Sequence, residues 1–406
     1  MYAFAILDEL IPLYPVYALL FADSGLSTGQ ISTLLVLWSL TGFLLEVPTG
    51  VLADRLSRRR LLTVAALLRA AGFALWLAVP SYAGFAVGFV LWGMKSAFSS
   101  GTWEALIYDE LAAAGETERY PRVIGRAEVL GVLGVLGGTA AATPLMAAGG
   151  YGLTGWLSVA ACVAGAMVAV TLPERTRVRA PAPRPAEAGG AASTAAVEAG
   201  GLDEVAGLRG YLETLWTGLR EARSSRTIRR LLVVAALLPG LSALDEYLPL
   251  LARSTGASDT LVPILLLVQY AGLAAGAELG GRFPEVAPSR VAALTAAGGL
   301  LLAAGALSGH PIGFLGVGAC FAALWYGTVV SGTRLQERMI GSARATVTSL
   351  SGLATETLAL AVYGGFGIGV RWASLQVLVA GLTVPLLLLA GVLPRWLPAA
   401  RDENDE

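Results

Sequence analysis

The chain has 406 residues, of which 55% are hydrophobic and only 14% charged, with a formal net charge of -1. A typical soluble domain carries roughly 25% charged residues, whereas this chain has a mean hydropathy of +0.68. So few charges cannot cover a water-soluble surface, no basic stripe with interleaved aromatics offers itself to nucleic acid, and apolar stretches of about 20 residues recur at the length that crosses a hydrocarbon core.

In chain order, hydropathy and turn signals predict spans near 2 to 22, 29 to 52, 61 to 80, 83 to 108, 122 to 147 and 152 to 172. A second set is predicted near 229 to 251, 258 to 281, 289 to 308, 311 to 333, 344 to 369 and 373 to 393. Asp8 and Glu9 in the opening stretch, with no basic leader or small-residue cleavage site, mark it as a retained helix and not a signal peptide. The expected organisation is a six-helix bundle over 1–172, a cytoplasmic linker over 173–227, a second bundle over 228–395 and an acidic cytoplasmic tail over 396–406. The early linker is rich in Pro, Ala and Gly and has too little apolar pattern to pack. Over 203–223 Leu208, Leu212, Leu215 and Leu219 share a helical face, which suits an interfacial helix or equally a solvated spacer.

Arginines accumulate after alternate spans: Arg55, Arg58, Arg59 and Arg60, then Arg119 and Arg122, the linker cluster, Arg282 and Arg290, Arg338 and Arg344, and Arg395 and Arg401. By the positive-inside rule these loops are cytoplasmic, which places both termini inside a multi-pass protein of the cell (inner or plasma) membrane. Cys162 and Cys320 both fall in apolar spans and suggest no disulfide framework.

The halves repeat one another. LDELIPLYP from Leu7 matches LDEYLPLLA from Leu244, Ser100–Thr102 matches Ser331–Thr333, Glu46 matches Glu278, and Glu128 matches Glu356, all in the same order. The stretch EVPTGVLADRLSRRR, Glu46 to Arg60, resembles the hallmark loop of the major facilitator superfamily, with Gly50, Leu52, Ala53, Asp54, Arg55, Arg58 and Arg59 in place and Ser57 where a second glycine is usual. YPVYALLFADSGLSTGQISTLL and ALIYDEL at Ala105 to Leu111 resemble other passages of that superfamily. The resemblance implies an all-α membrane protein of twelve transmembrane helices in two pseudo-symmetric six-helix bundles. It also implies a conformational latch built from Glu46, Gly50, Asp54, Arg55, Arg58, Arg59 and Asp109, a cavity lined by the first, fourth, seventh and tenth helices, and a monomer that exchanges a small solute against protons. The feel is closest to the drug:proton antiporters, although Phe89 stands where those branches usually carry Arg, and Pro144 is displaced from the glycine repeat of Gly131, Gly134, Gly137 and Gly138.

Charges deep in a bilayer cost roughly 2.5–3.5 kcal/mol each on insertion scales, so they face a cavity and serve a task. The candidates are Asp8, Glu9, Lys95, Glu128, Asp245, Glu246 and Glu356. Each acid reads as a proton or cation site or as half of an ion pair, such as Lys95 with Asp8 or Glu128, or Arg69 with Glu46 or Asp109. Asp8, Lys95 and Asp245 are expected to converge on the cavity. Neighbouring helical residues point about 100° apart, so only one of each Asp-Glu pair should face it. Tyr14, Tyr17, Trp38, Trp92, Tyr247, Gln269, Trp325 and Tyr326 are candidate walls for an amphipathic solute, or else interfacial and packing residues.

The sole lysine follows Met94, so no Walker A loop is present, and the only histidine, His310, is expected at an extracellular loop, outside the membrane where an intramembrane hydrolase would need it. An enzyme is not expected, nor any cofactor or metal. The expectation is a secondary active transporter working by alternating access, with proton-coupled export of drug-like or secondary-metabolite compounds leading. The alternatives are an importer of a small anion or nutrient with Lys95 as counter-charge, and a non-transporting receptor.

Overall fold

The computed structural model describes residues 1–174, 225–338 and 343–398, with side chains of 47–48, 50–55 and 343–346 left aside. The expected interfacial helix over 203–223, most of the linker and nearly all of the acidic tail lie outside the described residues. The chain folds as an all-helical protein of twelve transmembrane helices in two pseudo-symmetric bundles.

Several spans depart from simple rods. Span one is two short helices, Tyr2–Glu9 and Tyr17–Asp23, separated by a stretch containing Pro12 and Pro15. Proline has no N–H to give and breaks the helix, and in lipid the freed groups must be satisfied internally. Ser158 of span six does so, its Oγ accepting from the Leu13 N–H at 2.9 Å. Spans two and three are continuous, Thr28–Arg55 and Arg58–Ala78. Span four divides into Tyr82–Ser99 and Thr102–Ala113 at Gly101, whose φ of +67° sits in the left-handed region that glycine enters most easily. Spans five and six run together as Tyr120–Val170 and bend at Gly149 and Gly150.

Span seven runs Arg226–Leu241, a 3-10 stretch Ser242–Tyr247, then Leu248–Ser254. Spans eight to eleven are Val262–Arg282, Pro288–Leu307, Phe314–Glu337 and Ala343–Gly369, and span twelve is Leu375–Gly381 with Thr383–Trp396. Ser57, Ser81, Ser225 and Ser374 cap spans three, four, seven and twelve by accepting backbone N–H bonds. Length and composition alone single out eight crossing segments among the described residues, one of them the fused spans five and six. Spans one, four and eleven escape that test.

Packing repeats with an offset of six spans. Two packs on four, three on four and on the five–six run, and one on the five–six run, just as eight packs on ten, nine on ten and twelve, and seven on eleven. Between the halves, span two packs on eleven and the five–six run on eight, which is the exchange a pseudo-two-fold axis requires. Small residues allow the closest approaches, as expected where lipid leaves van der Waals packing as the main attraction between helices. A Cβ at Gly272 would stand 2.0 Å from the Gly318 carbonyl oxygen, and one at Gly276 2.1 Å from that of Ala322. The first half is instead filled by rings: Tyr14 stacks on Trp92 at 5.2 Å, and Trp92 on Phe89 at 5.8 Å. Buried Phe89 is thus a packing ring.

The far ends of spans one and seven meet on the face opposite the arginine-rich loops. There Arg253 holds Asp23 through Nη1 at 2.5 Å and Nη2 at 2.8 Å, and Nη2 also reaches the Tyr151 hydroxyl at 3.0 Å. Asp259 secures the guanidinium from its own half at 2.9 Å. The hydrogen bonds drawn between described residues of the two halves all lie from mid-span to this far face, at residues 17, 23, 32, 39 and 151 of the first half. The contacts of Arg253 with Asp23 and Tyr151 therefore fasten the two halves together on the far face.

Two outcomes are expected. Gly272→Leu should lower stability by about 1–3 kcal/mol through overpacking, whereas Gly332→Ala, with open space around it, should not; thermal unfolding in detergent compares them. Arg253→Gln should loosen the seal and speed maleimide labelling of Ser32→Cys from the far side by up to about fivefold, since an exposed ion pair contributes up to ~1 kcal/mol. Buried Cys162 and Cys320 provide a silent background.

Candidate functional site

Mid-span, the break in span one and the 3-10 stretch of span seven face each other across the interface between the halves. The Tyr17 hydroxyl donates to the Glu246 carboxylate. Ser32 and the Tyr247 hydroxyl share a hydrogen bond of 2.8 Å, and Ser39 donates to Glu356 at 3.1 Å. Tyr247 is fully buried, stacked on Phe366 at 4.3 Å, and so backs the site rather than lining it.

Cavities open on both sides of this waist. One of about 230 Å³ takes Glu9, Tyr14, Tyr17, Trp92 and Gln269 into its wall. A second of about 400 Å³ is bordered by Trp38, Ser39, Glu46, Glu356 and Tyr363. Asp245 and Glu246 border both. The second shares Glu46, Pro239, Thr355 and Glu356 with a further space of about 550 Å³ that leads between spans seven, ten and eleven. Among the described residues, none of these three walls contains an Arg or Lys. The expectation that only one acid of each Asp-Glu pair faces the cavity is corrected for span seven. Its pair lies on the 3-10 strip dividing two cavities, and both acids therefore meet open space.

Asp8 and Lys95 do not converge on that cavity. They meet inside the first half, where Asp8 accepts from Lys95 Nζ at 3.0 Å and from Arg69 Nη2 at 2.6 Å. Arg69 is 1% exposed and also donates to the Tyr14 hydroxyl at 2.9 Å. Of the ion pairs that the sequence offers as an alternative, Lys95 with Asp8 is present, whereas Arg69 meets neither Glu46 nor Asp109, because span three turns it towards the break in span one. The rule that flags charges in mid-span applies to Arg69 as fully as to Lys95 and would have picked it out. Asp8, Glu9 and Glu128 border a smaller pocket of about 190 Å³ with Glu104, and Glu128 is exposed there.

Asp109 pairs with Arg58 at 2.5 Å. Arg58 also donates its backbone N–H to Glu174 at 2.7 Å, and Arg59 approaches Glu174 at 3.9 Å. These contacts tie the loop between spans two and three to the ends of spans four and six, all within one half. Glu46 is exposed on the cavity wall, and the side chains of Gly50, Asp54 and Arg55 lie outside the described residues. Trp325 and Tyr326 do not reach the central cavity: Trp325 packs against the core of span ten's neighbours, and Tyr326 turns its hydroxyl to the Phe283 carbonyl at 3.1 Å. Asp23, Arg253, Tyr151 and Tyr363 went unread because their roles arise from contacts across long sequence separations.

The fold is shared with solved transporters. A variant of the nucleoside transporter NupG superposes with a TM-score of 0.70 at 13% identity, over 97% of this chain and 98% of that one. A bacterial homolog of the human lysosomal transporter Spinster, inward-facing and unoccupied, gives 0.66 at 15% identity over 97% and 94%. An auto-inhibited peptide transporter of the POT family gives 0.66 at 16% over 100% and 97%. Among curated proteins none matches the chain. The family model described as Major Facilitator Superfamily matches residues 1–367, and the chain belongs to that superfamily.

Proposed function

We propose that this protein is a proton-coupled secondary transporter that exports small, amphipathic organic cations by alternating access. The observation that carries the reading is the pair Asp245 and Glu246. Both stand at the waist where two cavities meet, and neither makes an ion pair with a described residue. Intramembrane acids of this kind serve ion or substrate pathways. With Glu46 and Glu356 they make a wall of one sign, which concentrates cations in a cleft. Trp38, Trp92 and Tyr363 add faces on which an organic cation can rest. A proton and such a solute would compete for the same carboxylates, which is the elementary condition for exchange.

The seal at Arg253, with the cavity that continues from the waist between spans seven, ten and eleven, supports a state open to the arginine-rich face. By the charge rule that face is cytoplasmic, consistent with loading from inside a cell membrane. The importer reading needed Lys95 as counter-charge for an anion. It loses its support, since Lys95 is already engaged by Asp8 and does not line the central cavity.

In proteoliposomes with an imposed pH gradient, the full chain should move ethidium. Asp245→Asn and Glu246→Gln should each cut gradient-driven flux by about tenfold or more, the scale of one lost interaction of ~1.4 kcal/mol. Counterflow should survive better than gradient-driven flux, which separates lost coupling from lost binding. Undiminished driven flux in both variants removes the assignment, and ethidium binding with no exchange at all would make the protein a receptor. Asp8→Asn should act on stability instead, costing about 3–5 kcal/mol by stranding buried cations. Adding Arg69→Gln should recover part of that loss in thermal unfolding, and a double variant no more stable than the single one would refute the pairing.

A further inference from the structure

A hollow of about 920 Å³ lies away from the waist on the outer flank of the second half, between spans eight, nine and ten. Its mouth is at the arginine-rich face and carries Arg282 and Arg290, both exposed and neither in an ion pair with a described residue. One carboxylate, Glu285, stands between them in sequence and also borders the mouth. From Arg290 the wall continues along span nine through Leu294, Ala297 and Leu301, which recur at helical spacing and share one face.

The opposite wall is small, with Ala319, Ala322 and Ala323 of span ten leaving the space open. Leu294 and Leu301 are 46% and 47% exposed although they sit inside a crossing helix, so what covers them in place is hydrocarbon. Arg290 to Leu301 is eleven residues, a rise of about 16 Å, close to the half-thickness of about 15 Å of one leaflet.

We infer that this groove is a binding site for one anionic glycerophospholipid, with its phosphate held by Arg282 and Arg290 and an acyl chain lying along span nine. Two arginines at headgroup depth attract an anionic lipid, and guanidinium groups bind phosphate oxygens in paired hydrogen bonds. The apolar trough beneath them accepts a chain of the length that one leaflet supplies. A soluble anion would find the arginines but gain nothing from Leu294 and Leu301. A zwitterionic lipid would fill the trough while bringing its own cation to the mouth.

The test is native mass spectrometry of the full chain in detergent with dioleoylphosphatidylglycerol and dioleoylphosphatidylcholine in equal amounts. The expected result is one tightly retained phosphatidylglycerol, preferred by about tenfold on the strength of two surface arginines. Arg282→Gln with Arg290→Gln should bring the two lipids to near parity. Ala297→Phe, which plugs the trough and leaves both arginines in place, should abolish the tightly retained lipid. Parity in the unmodified protein, an undiminished preference in the double variant, or full retention in the plugged one would each overturn the assignment. Unchanged thermal unfolding of the arginine variants, whose side chains are exposed, would show that they remain folded.

Discussion

Lipid supplies neither a hydrogen-bond partner nor a counter-ion, and the arrangement of this molecule follows from that single deficiency. Where the backbone of span one is interrupted, Ser158 accepts the freed Leu13 N–H. Where Asp8 enters the bundle, Arg69 and Lys95 divide its carboxylate between them. Arg334, 1% exposed at the end of span ten, spends its guanidinium on the carbonyls of Pro284, Val286 and Pro398. Against this background an acid with no cation beside it is informative. Asp245 and Glu246 are tolerated only because the chain opens into cavities around them.

The two halves share a pattern of helix contacts but not a chemistry. The first is braced by interlocking rings from Tyr14 to Trp92, with a compensated ionic cluster behind them. The second packs through glycine and alanine and brings its acids to the surface of a 3-10 stretch. The central site is therefore composite. An aromatic wall from one half meets an acidic strip from the other, joined by the hydrogen bond from Tyr17 to Glu246. A relative movement of the halves would alter that bond and the far seal at Arg253 together. This places the acidic strip and the far seal on the same interface.

Charge is sorted by position as well as by sign. Acids gather at the waist, where a solute would be handled, and exposed arginines such as Arg282 and Arg290 at the face where headgroups lie. The flank groove between spans eight, nine and ten draws on the arginine excess of that face. A residue pattern needed for topology can therefore also select the lipid beside the protein.

Composition and hydropathy alone determined that the chain belongs in a membrane, the number and approximate limits of its spans, and the relation between its halves. These depend on local chain length, apolar content and short repeated strings such as LDELIPLYP and LDEYLPLLA. The intramembrane acids could likewise be listed from sequence, because any charge within an apolar span stands out. What each acid does could not, since pairing is a matter of which helix turns towards which. Asp8 and Asp245 occupy equivalent places in the repeat, yet one is neutralised by Arg69, 61 residues away, and the other borders two cavities. Tertiary structure also decided the breaks that let both acids of span seven meet open space, the Asp23–Arg253 seal across 230 residues, and the withdrawal of Tyr326 from the centre. Each depends on distances between segments remote in the chain, which no local pattern encodes.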